Sequence, residues 1–228
     1  MDMDSLLQTA THMTFDATSE ATVDATFQPA NAPQATLILA HGAGADHRHA
    51  HMQSLSESLA RRQISTLRFN FPYMQAGKPR TDKPAVCLES FENARNVALD
   101  LADGGPLFMG GHSFGGRMSS LYGAEYGDDS GIEGLIYFSF PLHSGAPDRK
   151  RASHLESVTV HQLFLSGTRD KMAELTLLQT VVDELPLATL HPLHTGDHGY
   201  KILKRTRTSE ESIYNEAARV AAEWISAA

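Results

Sequence analysis

Ser113, Asp170 and His198 carry, in that chain order, the three side-chain types that break an acyl bond through a covalent intermediate. A serine hydroxyl is a poor nucleophile at neutral pH. A histidine within reach takes its proton as it attacks a carbonyl, and a carboxylate behind the ring fixes the tautomer and stabilises the imidazolium that forms. Ser113 sits in Gly111-His112-Ser113-Phe114-Gly115, a G-x-S-x-G pattern. That pattern marks a sharp strand-to-helix turn that lifts the hydroxyl clear of a sheet, where glycines leave room for a strained bend. The turn also puts the N–H of Phe114 at a helix N-terminus, free to donate to a developing oxyanion. A second donor is expected from the N–H of Ala43 in His41-Gly42-Ala43-Gly44.

The pattern means little unless the right elements flank it. Before it, Leu107 to Met109 is an apolar run; after it, Met118 to Tyr126 alternates small and apolar residues and reads as a helix. Thr36 to Ala40 is a continuous apolar run, as expected of a central strand covered on both faces, and it ends at His41. Helix is predicted over 47–62, 88–103, 171–184 and 209–227. Strand is predicted over 64–69, 132–140, 161–166 and 187–190, and one or two peripheral strands over 13–28. A long loop is expected from Asn70 to Val86, around Pro72, Gly77, Pro79 and Pro84. Residues 1–12 read as a polar, fraying end.

Strands thus alternate with helices from residue 36 onward, which implies βαβ units and a mostly parallel central sheet with helices on both faces. Ligands bind such sheets beyond the carboxyl ends of the strands. Ser113, Asp170 and His198 each follow a predicted strand, so all three belong to one edge. Each has a simpler reading alone. Asp170 suits a cap for a helix starting near Lys171, and His198 is one of twelve histidines. Asp197 competes as the acid, but adjacent residues usually point apart. Order and strand-end placement together favour the serine–histidine–aspartate reading.

These residues resemble an α/β hydrolase, from about residue 36 to the C-terminus. Four runs resemble a narrower group, the family named for testis-expressed protein 30 and NSL-complex subunit 3. They are His41-Gly42-Ala43-Gly44, Arg68-Phe69-Asn70-Phe71-Pro72-Tyr73-Met74, Gly111 to Arg117, and Phe140-Pro141-Leu142-His143. The resemblance implies an α/β-hydrolase domain over 36–228, preceded by an N-terminal segment, 1–35, with peripheral strands. It implies no particular substrate, and some relatives are complex subunits, so a binding or scaffold role stands as the alternative. About twenty residues separate Phe140 from His161, too few for a lid domain. The site is therefore expected to be open, walled by loops at 70–86 and 141–157, with Tyr73, Met74 and His143 as candidate substrate contacts or simple loop packing.

Composition narrows the classes. A chain of 228 residues suits one α/β domain. Its net charge of −8 argues against a nucleic-acid partner, which needs a basic face. The acidic start, Met1 to Asp4, lacks the pattern of a secretory signal, and no apolar run approaches the roughly 20 residues of a membrane span. Cys87 is the single cysteine, which excludes an intrachain disulfide and fits a cytoplasmic protein. It reads as a small buried hydrophobe.

Other signals weigh less. His47 and His51 are four apart and could share a helix face, but no glutamate lies between them and no third ligand is evident, so no metal is expected. Gly42-Ala43-Gly44 lacks the third glycine of a dinucleotide fingerprint, since His47 stands there. The basic clusters 149–151 and 201–207 read as solvated surface. The expectation is a serine hydrolase acting on a carboxylic ester or related small acyl compound, without cofactor. A peptidase or thioesterase is the nearest enzymatic alternative.

Overall fold

The computed structural model describes residues 7–102 and 104–227. Eight strands form one sheet: β1 (Thr11–Thr18), β2 (Ala21–Gln28), β3 (Ala35–Ala40), β4 (Ile64–Phe69), β5 (Leu107–His112), β6 (Gly134–Phe138), β7 (His161–Gly167) and β8 (Ala188–Leu193). Their order is β1-β2-β4-β3-β5-β6-β7-β8. The last six are mutually parallel, while β1 and β2 form a hairpin that joins β4 antiparallel. The first part of the segment read as fraying, residues 1–6, lies outside the described residues; Thr11 and His12 already belong to β1.

Among the described residues, six α-helices accompany the sheet: α1 (Ala50–Ala60), α2 (Pro72–Gln75), α3 (Pro84–Leu101), α4 (Phe114–Tyr126), α5 (Leu175–Asp183) and α6 (Ile213–Ile225). The alternation of side chains along each strand feeds two cores. On β3, Ile38 and Ala40 face the core shared with α3, α4 and α5, where Phe71, Phe91 and Tyr122 are buried. Leu37 and Leu39 face the other core, built with Met52, Leu55 and Leu59 of α1 and Ala217, Ala218 and Ala221 of α6. Both sheet faces are covered, which is why β3, β4 and the body of β5 are buried without a break, even where β4 carries Ser65, Thr66 and Arg68.

The ends of several elements differ from the sequence expectation, each for a local reason. The expected loop from Asn70 to Val86 is shorter, because Pro72 and Pro84 stand in the first turns of α2 and α3, where a fixed φ suits a helix and no N–H is missed. Helix α5 begins at Leu175 rather than 171, since Asp170 to Met172 is held in a turn. Between β6 and β7 the chain makes only short 3-10 turns, Lys150–Ala152 and Leu155–Ser157, and no lid domain interrupts the described residues there. No described helix is long and apolar enough to cross a membrane.

Candidate active site

Ser113 has φ 51° and ψ −112°, a left-handed conformation that costs a non-glycine residue energy and persists only where its surroundings enforce it. Two features do so. The Ser113 N–H donates to the Phe138 carbonyl at 3.0 Å, and the Arg117 N–H donates to the Ser113 carbonyl at 2.9 Å. Helix α4 then crosses β3 and β5 so closely that a Cβ on Gly111 would lie 2.6 Å from the Ala40 carbonyl oxygen, and one on Gly115 would lie 2.5 Å from it. Only glycine fits at either place.

The register of the sheet sets the remaining positions. Ala40 pairs with Gly111 across β3 and β5. Ala43 and Phe114, each three residues further on, therefore leave neighbouring parallel strands at the same edge. Neither N–H meets an acceptor among the described residues. The turn carrying Ala43 is pinned from below. The Tyr73 hydroxyl donates to the Ala43 carbonyl at 2.9 Å, and the Tyr73 ring meets that of Phe114 edge-on at 6.1 Å. His41 braces the same turn. Phe71 N–H donates to its Nε2 at 3.1 Å, so the ring proton resides on Nδ1, which donates to the Gly42 carbonyl at 2.8 Å. Burial holds His41 near pKa 4, and the ring stays neutral.

At the other side of Ser113, β7 and β8 pair as far as Gly167 and Leu193. Beyond that point their loops remain zipped: Arg169 N–H donates to Gly196 O at 2.9 Å, and Thr195 N–H donates to Thr168 Oγ1 at 3.0 Å. The zip brings Asp170 and His198 together. Asp170 Oδ2 accepts from His198 Nδ1 at 2.8 Å, and His198 Nε2 lies 2.8 Å from Ser113 Oγ. The Asp170 carboxylate is wholly buried while His198 keeps about a quarter of its side chain in solvent. The second carboxylate oxygen, Oδ1, accepts from Met172 N–H at 2.7 Å. The turn-capping and histidine-orienting readings of Asp170 therefore coexist, one on each oxygen. Asp197 points into its own loop, where its Oδ1 accepts from Gly199 and Lys201 N–H.

The structure separates the three expected substrate contacts. Tyr73 is buried, with its hydroxyl spent on Ala43. His143 is 3 % exposed and both ring nitrogens are enclosed without partners, so neither faces the site opening. Met74 alone is partly exposed, packed at the margin of the α3–α4–α5 core. His47 and His51 engage different partners, Asn70 and Tyr214. Cys87 is buried, which pushes its thiol up to about 12 and leaves it a poor nucleophile.

One neighbour of Ser113 had no sequence signal beyond its place in the chain. His112 Nε2 donates to the His198 carbonyl at 2.8 Å, and its ring packs on those of His198 and His51 at centroid distances of 5.3 and 4.4 Å. This contact crosses 86 residues of chain, which no local pattern encodes.

A family model described as "Alpha/beta hydrolase domain" matches residues 33–226. The structure is similar to a dienelactone hydrolase from Anabaena variabilis, at TM-score 0.76 and 15% identity over 97% of this chain and 98% of that one. It is similar to Est1E from Butyrivibrio proteoclasticus, a structure with ferulic acid bound, at TM-score 0.73 and 17% identity over 94% and 99% of the two chains. It is also similar to a Xanthomonas campestris protein described as an α/β serine hydrolase without lid, at TM-score 0.70 and 16% identity over 93% and 94%. At these identities the likeness is one of fold.

Proposed function

We propose, from the premise that this chain belongs to the alpha/beta hydrolase domain family, that it is a serine hydrolase cleaving a carboxylic ester or closely related acyl substrate. The observation that carries the reading is the unbroken line from buried Asp170 through His198 to Ser113 Oγ, with both contacts at 2.8 Å, on a residue held at φ 51°. That two proteins of the same fold are described as an esterase or an esterase domain, and one as a dienelactone hydrolase, is consistent with it.

In the proposed mechanism Ser113 Oγ attacks the substrate carbonyl carbon and its proton passes to His198 Nε2. Asp170 Oδ2 holds the other ring proton and stabilises the imidazolium. The carbonyl oxygen becomes an oxyanion between the N–H groups of Ala43 and Phe114; losing one such donor typically costs about 3 kcal/mol of transition-state stabilisation. As the tetrahedral adduct collapses, His198 returns the proton to the departing alcohol oxygen, leaving an acyl ester on Ser113. Water then attacks that ester as His198 takes its proton, and His198 hands that proton to Ser113 Oγ as the adduct collapses and the acid leaves. Every proton in this cycle is carried by the chain's own groups.

Within the family, we place the chain in the narrower group named for testis-expressed protein 30 and NSL-complex subunit 3, on the four runs quoted above, and in the cytoplasm. The test is turnover of a panel of small esters, thioesters and peptides by the wild type and by Ser113→Ala. Ester turnover lost in the variant supports the reading. A folded wild type inert to all three classes favours the scaffold role instead.

A further inference from the structure

Strand β1 is an edge of the sheet: β2 pairs with one side of it, and no described strand pairs with the other. Its backbone groups are oriented by β2. Asp24 stands opposite Thr14 in the hairpin, yet its N–H donates to Gln75 Oε1 at 3.1 Å and its carbonyl accepts from Asn70 N–H at 3.0 Å, both on the β4 side. Thr14 and Asp24 are therefore a non-hydrogen-bonded pair, and the N–H and C=O of Thr14 point away from β2. His12 and Asp16, two residues to either side, point the same way. All three are exposed, and no hydrogen bond among the described residues reaches their outward backbone groups.

Proteins commonly blunt such an edge with lysine, proline or a bulge. The opposite edge, β8, carries Pro192. Strand β1 has neither proline nor lysine. Its bulge falls at Ala17, where Asn93 Nδ2 donates to the Ala17 carbonyl at 3.0 Å. The open stretch thus runs from His12 to Asp16, and its chemistry is complementary about Thr14. His12 Nδ1 lies 2.9 Å from Thr26 Oγ1, and Asp16 Oδ1 accepts from Thr22 Oγ1 at 2.6 Å. The His12 Nε2 and the Asp16 Oδ2 meet no partner among the described residues.

We infer that His12 to Asp16 pairs antiparallel with the same stretch of a second copy of this chain, about a two-fold axis through Thr14, and joins two sheets into one. Thr14 then exchanges backbone hydrogen bonds with Thr14 of the second copy, and His12 does so with Asp16 of the second copy. On the exposed face an imidazole stands opposite a carboxylate on each side of the axis, a favourable cross-strand pair. On the other face Met13 stands opposite Phe15 of the second copy; both are only partly buried within one chain. This register alone uses all three outward residues and sets neither His12 nor Asp16 against its own kind. Strands β2, β4 and β3 lie between β1 and the Ser113-bearing end of β5, so the pairing does not depend on the hydrolase reading.

Sedimentation equilibrium of the full chain over about 1 to 200 µM tests it, since a dimer obeys mass action. The expected wild type moves toward the mass of two chains as concentration rises. Thr14→Pro removes an N–H that β2 does not use, which an edge strand tolerates, and is expected to keep the mass of one chain throughout, with the circular dichroism of the wild type. His12→Asp and Asp16→Lys each set like charges across the axis, and each alone is expected to dimerise about 10-fold or more weakly. Mixed together they set Asp against Lys and His against Asp, so the mixture is expected to dimerise more tightly than either alone. A wild type that keeps the mass of one chain at every concentration overturns the inference. So does a dimer that survives in folded Thr14→Pro, or a mixture no tighter than its two components. Should Thr14→Pro fail to fold, the mixture decides.

Discussion

His112 Nε2 donates its proton to the backbone carbonyl of His198 at 2.8 Å, so the residue before the serine holds the residue that would deprotonate it. The tautomer follows: a ring nitrogen that donates to a carbonyl carries the proton, and His112 Nδ1 is bare. A Cβ on Gly42 would lie 2.9 Å from that bare nitrogen, so the turn carrying Ala43 also closes on this ring. Replacing His112 by Phe keeps a ring but removes the donor. The expected outcome is a fall in kcat of about 10-fold, the scale of one lost buried hydrogen bond, with KM little changed. Steady-state kinetics on a neutral ester, beside a melting curve, checks it.

Acid sensitivity is expected from the buried imidazoles. Burial pushes His41, His112 and His154 down to about 4 and His51 to about 3, from an ordinary value of 6.5. Above pH 6.5 these rings are neutral in both folded and unfolded chains and contribute no pH dependence. Below it the unfolded chain takes up protons that the folded chain refuses, so stability falls as the pH drops from 6.5 toward 4. Each ring contributes at most about 1.4 kcal/mol per pH unit across that window. Urea unfolding at pH 7.5, 6, 5 and 4.5 measures the slope; a midpoint independent of pH over this range contradicts it.

Tyr73→Phe removes the hydroxyl that anchors the Ala43 carbonyl and leaves the ring contact with Phe114 in place. If Ala43 N–H is an oxyanion donor, the loosened turn lowers kcat by about 3- to 10-fold with KM nearly unchanged, since the oxyanion exists only in the transition state. Equal losses in kcat and in thermal stability of a damaged core would instead show a packing role alone.

Asp170→Asn is nearly isosteric. Its carbonyl oxygen still accepts from Met172 N–H, so the turn survives, but its amide donates where Oδ2 accepted and favours the wrong His198 tautomer. The expected loss in kcat is about 10³- to 10⁴-fold, by analogy with the equivalent change in a serine protease, with a melting temperature close to wild type.

Much of the frame is legible in local sequence because it is local in cause. The run Ile64–Phe69 is a strand over the very residues expected, with Ile64, Leu67 and Phe69 as its apolar positions. The G-x-S-x-G turn is set by glycines whose neighbours are a few residues away or on the adjacent strand. Asp170 and His198 are found because strand ends in a parallel sheet share an edge. What escaped notice is non-local. Tyr73 looks like an exposed loop aromatic until β3 and β4 bring its hydroxyl to Ala43, and His143 looks available until the chain after β6 folds it inward. The prolines at 72 and 84 carried a signal that could have been used, since proline is as much a helix opener as a breaker.

The central claim is that Ser113 is a nucleophile activated by His198. Labelling the purified protein with a fluorophosphonate and locating the adduct by peptide mass spectrometry tests it most directly, with Ser113→Ala and His198→Ala as companions. The expected result is one phosphonate per chain on Ser113, none in Ser113→Ala, and labelling slowed by at least about 10³-fold in His198→Ala. A folded wild type that takes up no label, or one labelled equally well without His198, would contradict it.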